Sequence, residues 1–425
     1  MFSLSFRRPV IRRPARAAGL LALLAILGPG LVSGFADNDA GGITTYSIVG
    51  AQFGYDLLWV LLASQVALFF TQEVGARIGL ATGQGLSGLI RERFGIRWAT
   101  FAVATMLAAN LGDTVAEFAG IGAALSLFGI PVQLSAGIAA GAMVLLLARA
   151  GFGRVQFLFV AVGIGVSFAY GISAVLARPD WGRAVDSLVI PHGSFFAPAY
   201  LLAVVGTVGT TITPWGQSFI QSYVVDKGLK PSQLGGSRID IALGATLTNT
   251  VAAFIVIACA ATLWTHGVTT IGDASDAAKA LGPLAGSTAE TLFAIGLLAA
   301  SLLGLGTVPL TSAYAACEAF GWEAGLDRRP GDARAFYALL SFFVGFAALF
   351  LLIPGLPLIA VMFLSQVFDG LLLPIILVFV MLLARDAKLM GELRSGVALG
   401  TIGWVITAVL ALLSIALVVS QVAGM

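Results

Sequence analysis

Apolar runs of about 20 residues, the length needed to cross a hydrocarbon core, recur along the whole chain. They lie near 20–48, 55–80, 98–125, 129–148, 155–177, 197–225, 240–264, 288–318, 335–353, 355–384 and 397–421. The polar segments between them are short, except at 178–196, 265–287 and 319–334. The pattern predicts an all-α polytopic membrane protein of eleven spans. It divides into a basic terminal segment, 1–19, a core of ten spans, 20–395, and a last span with an outer C-terminus, 396–425. The basic start followed by apolar Gly19–Phe35 has the look of a signal peptide. That apolar run is longer than a usual signal core and leads into Asp37-Asn38-Asp39, so it is read as the first span.

Two spans break the pattern. The first carries Gly28-Pro29-Gly30 and then Asp37-Asn38-Asp39-Ala40-Gly41-Gly42. The sixth carries Gly209-Thr210-Thr211-Ile212-Thr213-Pro214-Trp215-Gly216-Gln217. Backbone groups freed inside lipid cost several kcal/mol, so an interrupted helix is tolerated only where it faces a protein-lined cavity. Interruptions in the first and sixth spans match an inverted repeat, spans 1–5 against spans 6–10, LeuT-like, with broken helices 1 and 6 meeting at mid-depth.

Composition agrees. Hydrophobic residues make up 59% of the chain and charged residues 10%, with mean hydropathy +0.98. An average soluble domain has about 25% charged residues. The net charge of +2 matters less than its distribution. Of 23 lysines and arginines, the span assignment puts all but Arg178, Arg183 and Lys279 on one side. By the positive-inside rule that side is cytoplasmic. The expected location is therefore the cell inner membrane, with the N-terminus inside and the C-terminus outside. Cys259 and Cys317 fall in spans and His192 and His266 in outer loops, so neither a thiolate nor an imidazole metal site is expected. Nothing resembles a nucleotide-binding motif or a catalytic constellation, and no enzyme, cofactor or nucleic-acid partner is expected.

The candidate chemistry is an ion site. Carboxylates at membrane depth pair, bind ions or relay protons. Asp39 stands beside Ala40-Gly41-Gly42, where freed carbonyls are expected to turn inward, and it is the principal candidate ligand. Thr210 by its carbonyl, Thr213 and Gln217 add oxygens from the sixth span, and Pro214 removes a helix hydrogen bond there. Trp215 cannot ligate a cation and is a candidate gate. In the third span Asp113 and Glu117 share a helix face at i and i+4, as Gln366 and Asp369 do at i and i+3 in the tenth. Gln366 completes the candidate shell, while Asp37, Asp113, Glu117 and Asp369 are candidates for a hydrated vestibule or proton route. Glu73 is expected to pair with Arg77, Asn249 to bond between helices, and Asp56, Glu290 and Glu318 to sit at interfaces. Carboxylate, carbonyl and hydroxyl oxygens favour hard cations. An amino acid held at half-helix ends is the alternative cargo.

Gly28-Pro29-Gly30 through Asp39, Gly50 to Trp59, Gln72 to Gly83, Ala116-Glu117, Leu364-Ser365-Gln366 and Lys388 to Gly391 resemble the Nramp (natural resistance-associated macrophage protein) divalent metal transporters. The resemblance covers most of 20–395 and implies import of manganese or iron with protons. The departures fall in the family's site motifs. Its Asp-Pro-Gly-Asn is here Asp39-Ala40-Gly41-Gly42, which keeps the aspartate and loses the asparagine. Its Met-Pro-His is Thr213-Pro214-Trp215, and its second histidine falls at Gln221. Its proton-linked aspartate aligns with Thr114, beside Asp113. Glu117 and Gln366 carry over, whereas Asp369 has no usual counterpart.

Loss of the soft sulfur ligand removes a preference for transition metals. The altered site resembles a divergent branch that carries partly hydrated magnesium. Expected, then, is a transporter of a hard divalent cation, Mg²⁺ first and Mn²⁺ second, acting as a monomer by alternating access. Its partners are the cation and the lipid bilayer, with protons in the proton-coupled alternative.

Overall fold

The structure, a computed structural model, describes residues 33–34, 37–148, 164–165, 167–326 and 328–422. The expected basic terminus and the first half of the first span lie outside the described residues. Those described form helices and connecting turns, with α1 at Ala40–Phe53, α2 at Leu58–Thr82, α3 at Leu86–Phe94, α4 at Ile96–Ser126 and α5 at Val132–Ala148. The apolar helix α6, Ser167–Leu176, follows, and α7, Trp181–Val189, lies in the long expected loop. Next come α8 at Pro198–Thr211, α9 at Pro214–Asp226, α10 at Leu234–Thr262 and α11 at Ala289–Phe320. The last three are α12 at Arg334–Leu351, α13 at Leu358–Ala384 and α14 at Val397–Val422. Seven helical segments among the described residues are long and apolar enough to cross a membrane.

The sixth span is split where the sequence places its break. α8 ends at Thr211, Ile212 leaves helical geometry at φ −125° and ψ 76°, and Thr213 is extended before Pro214 opens α9. Proline suits a first helical position because its missing N–H has no intrahelical partner to lose. In the first span a turn over 37–39 precedes α1, and Asp39 caps that helix. Gly41 and Gly42 therefore belong to the first turn of α1, and the expected inward carbonyls of 40–42 are corrected. The amide groups of that turn, not its carbonyls, face the break, because a helix N-terminus exposes N–H.

Close backbone approach holds these pieces together. α4 packs between α11 and α13, α1 against α10 and α13, and α8 against α13. At Gly209 an added Cβ would overlap the Gln366 carbonyl oxygen and lie 2.5 Å from the Gly370 nitrogen. Small residues at such crossings replace the hydrophobic drive that lipid cannot supply. α14 covers the outside of α13 and turns Val405, Val409, Leu412 and Val419 outward, all about half exposed or more.

Several of the described basic residues gather at one end. Arg93 pairs with Asp386, Arg394 donates to the Arg385 carbonyl at 3.0 Å, and Arg77 donates to the Leu393 carbonyl at 3.2 Å. The opposite end of α2 holds the Arg183–Asp56 pair, 3.3 Å apart, with the Arg183 guanidinium over Trp264. Asp56 is thus paired at its interface.

Candidate cation site

The two breaks meet. Asp39 Oδ1 accepts from the Gly42 amide at 2.7 Å, and Thr213 Oγ1 accepts from the Gly216 amide at 3.1 Å. Each is the N-cap of the half-helix that follows it. Two helix N-termini thus open on one region, while the last carbonyls of α8, Thr210 among them, end there without intrahelical partners.

Glycines line the junction. A Cβ on Gly42 would stand 2.9 Å from the Asp37 carbonyl oxygen, 3.0 Å from Thr210 Oγ1 and 3.5 Å from Asp39 Oδ1. One on Gly216 would stand 2.8 Å from Thr213 Oγ1 and 3.8 Å from Asp37 Oδ1. Oxygens from Asp37, Asp39, Thr210 and Thr213 thus converge around two missing side chains. Asp37 supplies both its carbonyl and its carboxylate, and both carboxylate oxygens are buried without a partner. Gln217 is buried with both amide atoms unpartnered. Tyr46 backs the site, its hydroxyl 3.2 Å from Thr211 Oγ1.

A second polar group joins α4 to α13. Gln366 Nε2 donates to Asp113 Oδ1 and to Ser365 Oγ, each at 3.0 Å, leaving Gln366 Oε1 free. Both carboxylate oxygens of Glu117 and of Asp369, and Asp113 Oδ2, are buried without a hydrogen-bond partner. Glu117 fills the space over Gly304, and Gln366 fills the space over Gly41. Asp37, Asp39, Asp113, Glu117 and Asp369 are each 2% exposed or less, and among the described residues none forms an ion pair. Uncompensated carboxylates in a membrane interior are costly. Among the described residues no three of His, Cys, Asp and Glu converge as a metal cage. An ion held here would rely on carbonyl, hydroxyl, amide and water oxygens as well.

Trp215 is fully buried against Leu303 and Val308, with Phe219 edge-on at 5.8 Å. Gln221 turns away from the junction and donates to the Gln84 carbonyl at 2.9 Å. Thr114 bonds within its own helix, to the Asn110 carbonyl at 2.7 Å. Two expectations are corrected. Asn249 bonds within its helix, to the Ala245 carbonyl at 3.0 Å, rather than between helices. Glu318 is drawn under Gly85 with Oε2 buried, because the glycine leaves room for its carboxylate. Reading the sequence missed Tyr46 and the Asp37 carbonyl. Tyr46 follows Asp39 by seven residues, the i+7 position that faces the same way on a helix.

The profile of the family described as natural resistance-associated macrophage protein-like matches residues 30–420. A divalent metal cation transporter MntH of Deinococcus radiodurans is 29% identical over 414 residues, covering 94% of this chain and 91% of the relative. A MntH of Yersinia pestis is 30% identical over 302 residues, 68% of this chain and 71% of the relative. A solved Eremococcus coleocola manganese transporter superposes with TM-score 0.77 at 23% identity, over 99% of this chain and 92% of that one. MhsT, solved with L-phenylalanine, superposes with TM-score 0.62 at 17% identity, over 94% and 98%. The fold is LeuT-like, with the interrupted sixth span in keeping with it.

Proposed function

From the premise that this chain belongs to the natural resistance-associated macrophage protein-like family, we propose that it carries a divalent metal cation, Mn²⁺, across a membrane by alternating access. Such proteins move ions rather than transform substrates, and no catalytic role is assigned to any residue. The observation that carries the reading is the glycine-lined junction, where the Asp37, Asp39, Thr210 and Thr213 oxygens meet without a basic partner.

Magnesium as first cargo gives way to manganese. The relatives are described as divalent metal cation transporters and the solved neighbour as a manganese transporter. An all-oxygen shell suits Mn²⁺ as well as Mg²⁺. The missing methionine and asparagine at Thr213 and Gly42 then weaken discrimination against Mg²⁺ rather than reverse it. The amino-acid alternative falls with the family assignment, since the likeness to MhsT is one of fold alone.

In this reading Asp39 is the principal ligand, with Thr210, Thr213, Gln217 and Gln366 completing the shell. Asp37, Asp113, Glu117 and Asp369 form the vestibule or proton route, because buried carboxylates without a basic partner call for a proton or a cation nearby. Trp215 gates through its packing on α11. The membrane potential supplies about 2.3 kcal/mol per charge per 100 mV, hence about 4.6 for a divalent ion. The membrane is the cell inner membrane, with the basic end of the bundle in the cytoplasm.

Proteoliposome uptake tests this. Saturable Mn²⁺ entry, faster with a negative interior and only partly suppressed by excess Mg²⁺, is expected. Recording internal pH alongside reads proton coupling. Absence of saturable entry of any divalent ion refutes transport, and entry of Mg²⁺ without Mn²⁺ refutes the choice of cargo.

A further inference from the structure

A groove of 520 Å³ opens at the basic end of the bundle, where α2, α10 and the start of α14 meet. Its floor is ionic. Glu73, 2% exposed, accepts from Arg77 Nη2 at 2.5 Å and Nε at 3.3 Å, and from Arg238 Nε at 2.8 Å. Two guanidiniums on one carboxylate leave one net positive charge. Arg77 is committed, since its Nη1 donates to the Leu393 carbonyl at 3.2 Å. Arg238 is not. Its side chain is 47% exposed, and among the described residues only its Nε has a partner. Its two Nη groups, spaced to grip a phosphate with two parallel hydrogen bonds, remain available at the groove.

The walls are apolar. Phe69, Phe70, Leu399 and Ile402 line them. From the groove an outward stripe continues along each helix toward the other end. On α2 it is Val66 and Leu62, 49% and 42% exposed, and on α14 it is Val405 and Val409, 56% and 48% exposed. The spacings of three and four residues put each stripe on one helix face. A cationic head at the membrane boundary and two apolar tracks leading inward have the shape and polarity of one kind of molecule.

We propose that this groove binds an anionic glycerophospholipid, with its phosphodiester on Arg238 and its acyl chains along the α2 and α14 stripes. Basic pockets between spanning helices at the cytoplasmic boundary suit such headgroups. The net charge selects an anionic lipid over a zwitterionic one. The apolar walls select a lipid over free phosphate.

The test uses the full-length protein in mixed micelles with equal phosphatidylglycerol and phosphatidylcholine, reading retained lipid by native mass spectrometry. Retention should favour phosphatidylglycerol about fivefold, the equivalent of about 1 kcal/mol for one arginine near the surface. Arg238→Ala should bring the ratio to near one while Arg77 still holds Glu73. Ala398→Trp, at an exposed groove position, should expel both lipids with every charge intact. Excess inorganic phosphate should leave the wild-type ratio unchanged. Equal retention in the wild type, an unchanged ratio in Arg238→Ala, undiminished lipid in Ala398→Trp, or displacement by phosphate overturns the proposal. A thermal melt of each variant confirms that it is folded, and none of these readouts depends on transport.

Discussion

Asp39→Asn separates the two jobs of Asp39. The side chain caps α1 through Oδ1 on the Gly42 amide at 2.7 Å, and it brings a negative charge to the junction. Asparagine caps a helix as well as aspartate does, whereas alanine forfeits about 1 kcal/mol. The Asn variant should therefore melt like the wild type and the Ala variant below it. The charge is the larger loss. Unit charges 4 Å apart at an effective dielectric of about 20 interact by about 4 kcal/mol, and a divalent ion doubles this to about 8. Desolvation of ion and carboxylate takes back most of that. If about one third survives, neutralising Asp39 costs about 2.7 kcal/mol, about a hundredfold in affinity. The assay is Mn²⁺ titration calorimetry in nanodiscs, paired with the KM for uptake. An Asn variant weakened by less than about threefold, about 0.7 kcal/mol, would refute Asp39 as the principal ligand.

Three further substitutions read other parts of the structure. Gly209→Ala forces a Cβ into the Gln366 carbonyl and the Gly370 backbone of α13. Overpacking of about 1–3 kcal/mol should lower the melting temperature, while Gly137→Ala, with nothing within 4 Å of an added Cβ, should not. Thr213→Met puts a thioether where an oxygen now stands, so excess Mg²⁺ should compete less with Mn²⁺ uptake. It also removes the cap on Gly216, for about 1 kcal/mol of stability, and unchanged Mg²⁺ competition would show that Thr213 does not face the ion. Glu73→Gln leaves Arg77 and Arg238 without their shared carboxylate. A loss of about 1–3 kcal/mol should show as a lower melting temperature, and an unchanged melt would show that the pairing is not stabilising.

Much of this protein was legible along the chain. Apolar run length located the helices, because lipid leaves a spanning segment no other way to satisfy its backbone. The same constraint made Thr213-Pro214 and the Asp37–Gly42 stretch conspicuous, and both breaks lie there. Glu73–Arg77 followed from a spacing of four.

Contacts between elements distant in sequence were not legible. That Gln366 bridges to Asp113, 253 positions away, that Arg238 joins Glu73, and that Gly41, Gly42 and Gly304 leave room for Gln366, Asp37 with Thr210, and Glu117 are facts of packing. Helix periodicity gives a residue its face but not the neighbour opposite, since rotation and depth of one helix against another are set by the whole bundle. The sequence alone therefore determined which of the described segments are apolar helices and where the first and sixth expected spans break. Only the tertiary structure decided which oxygens share a cavity, because that depends on how closely glycine-lined helices approach.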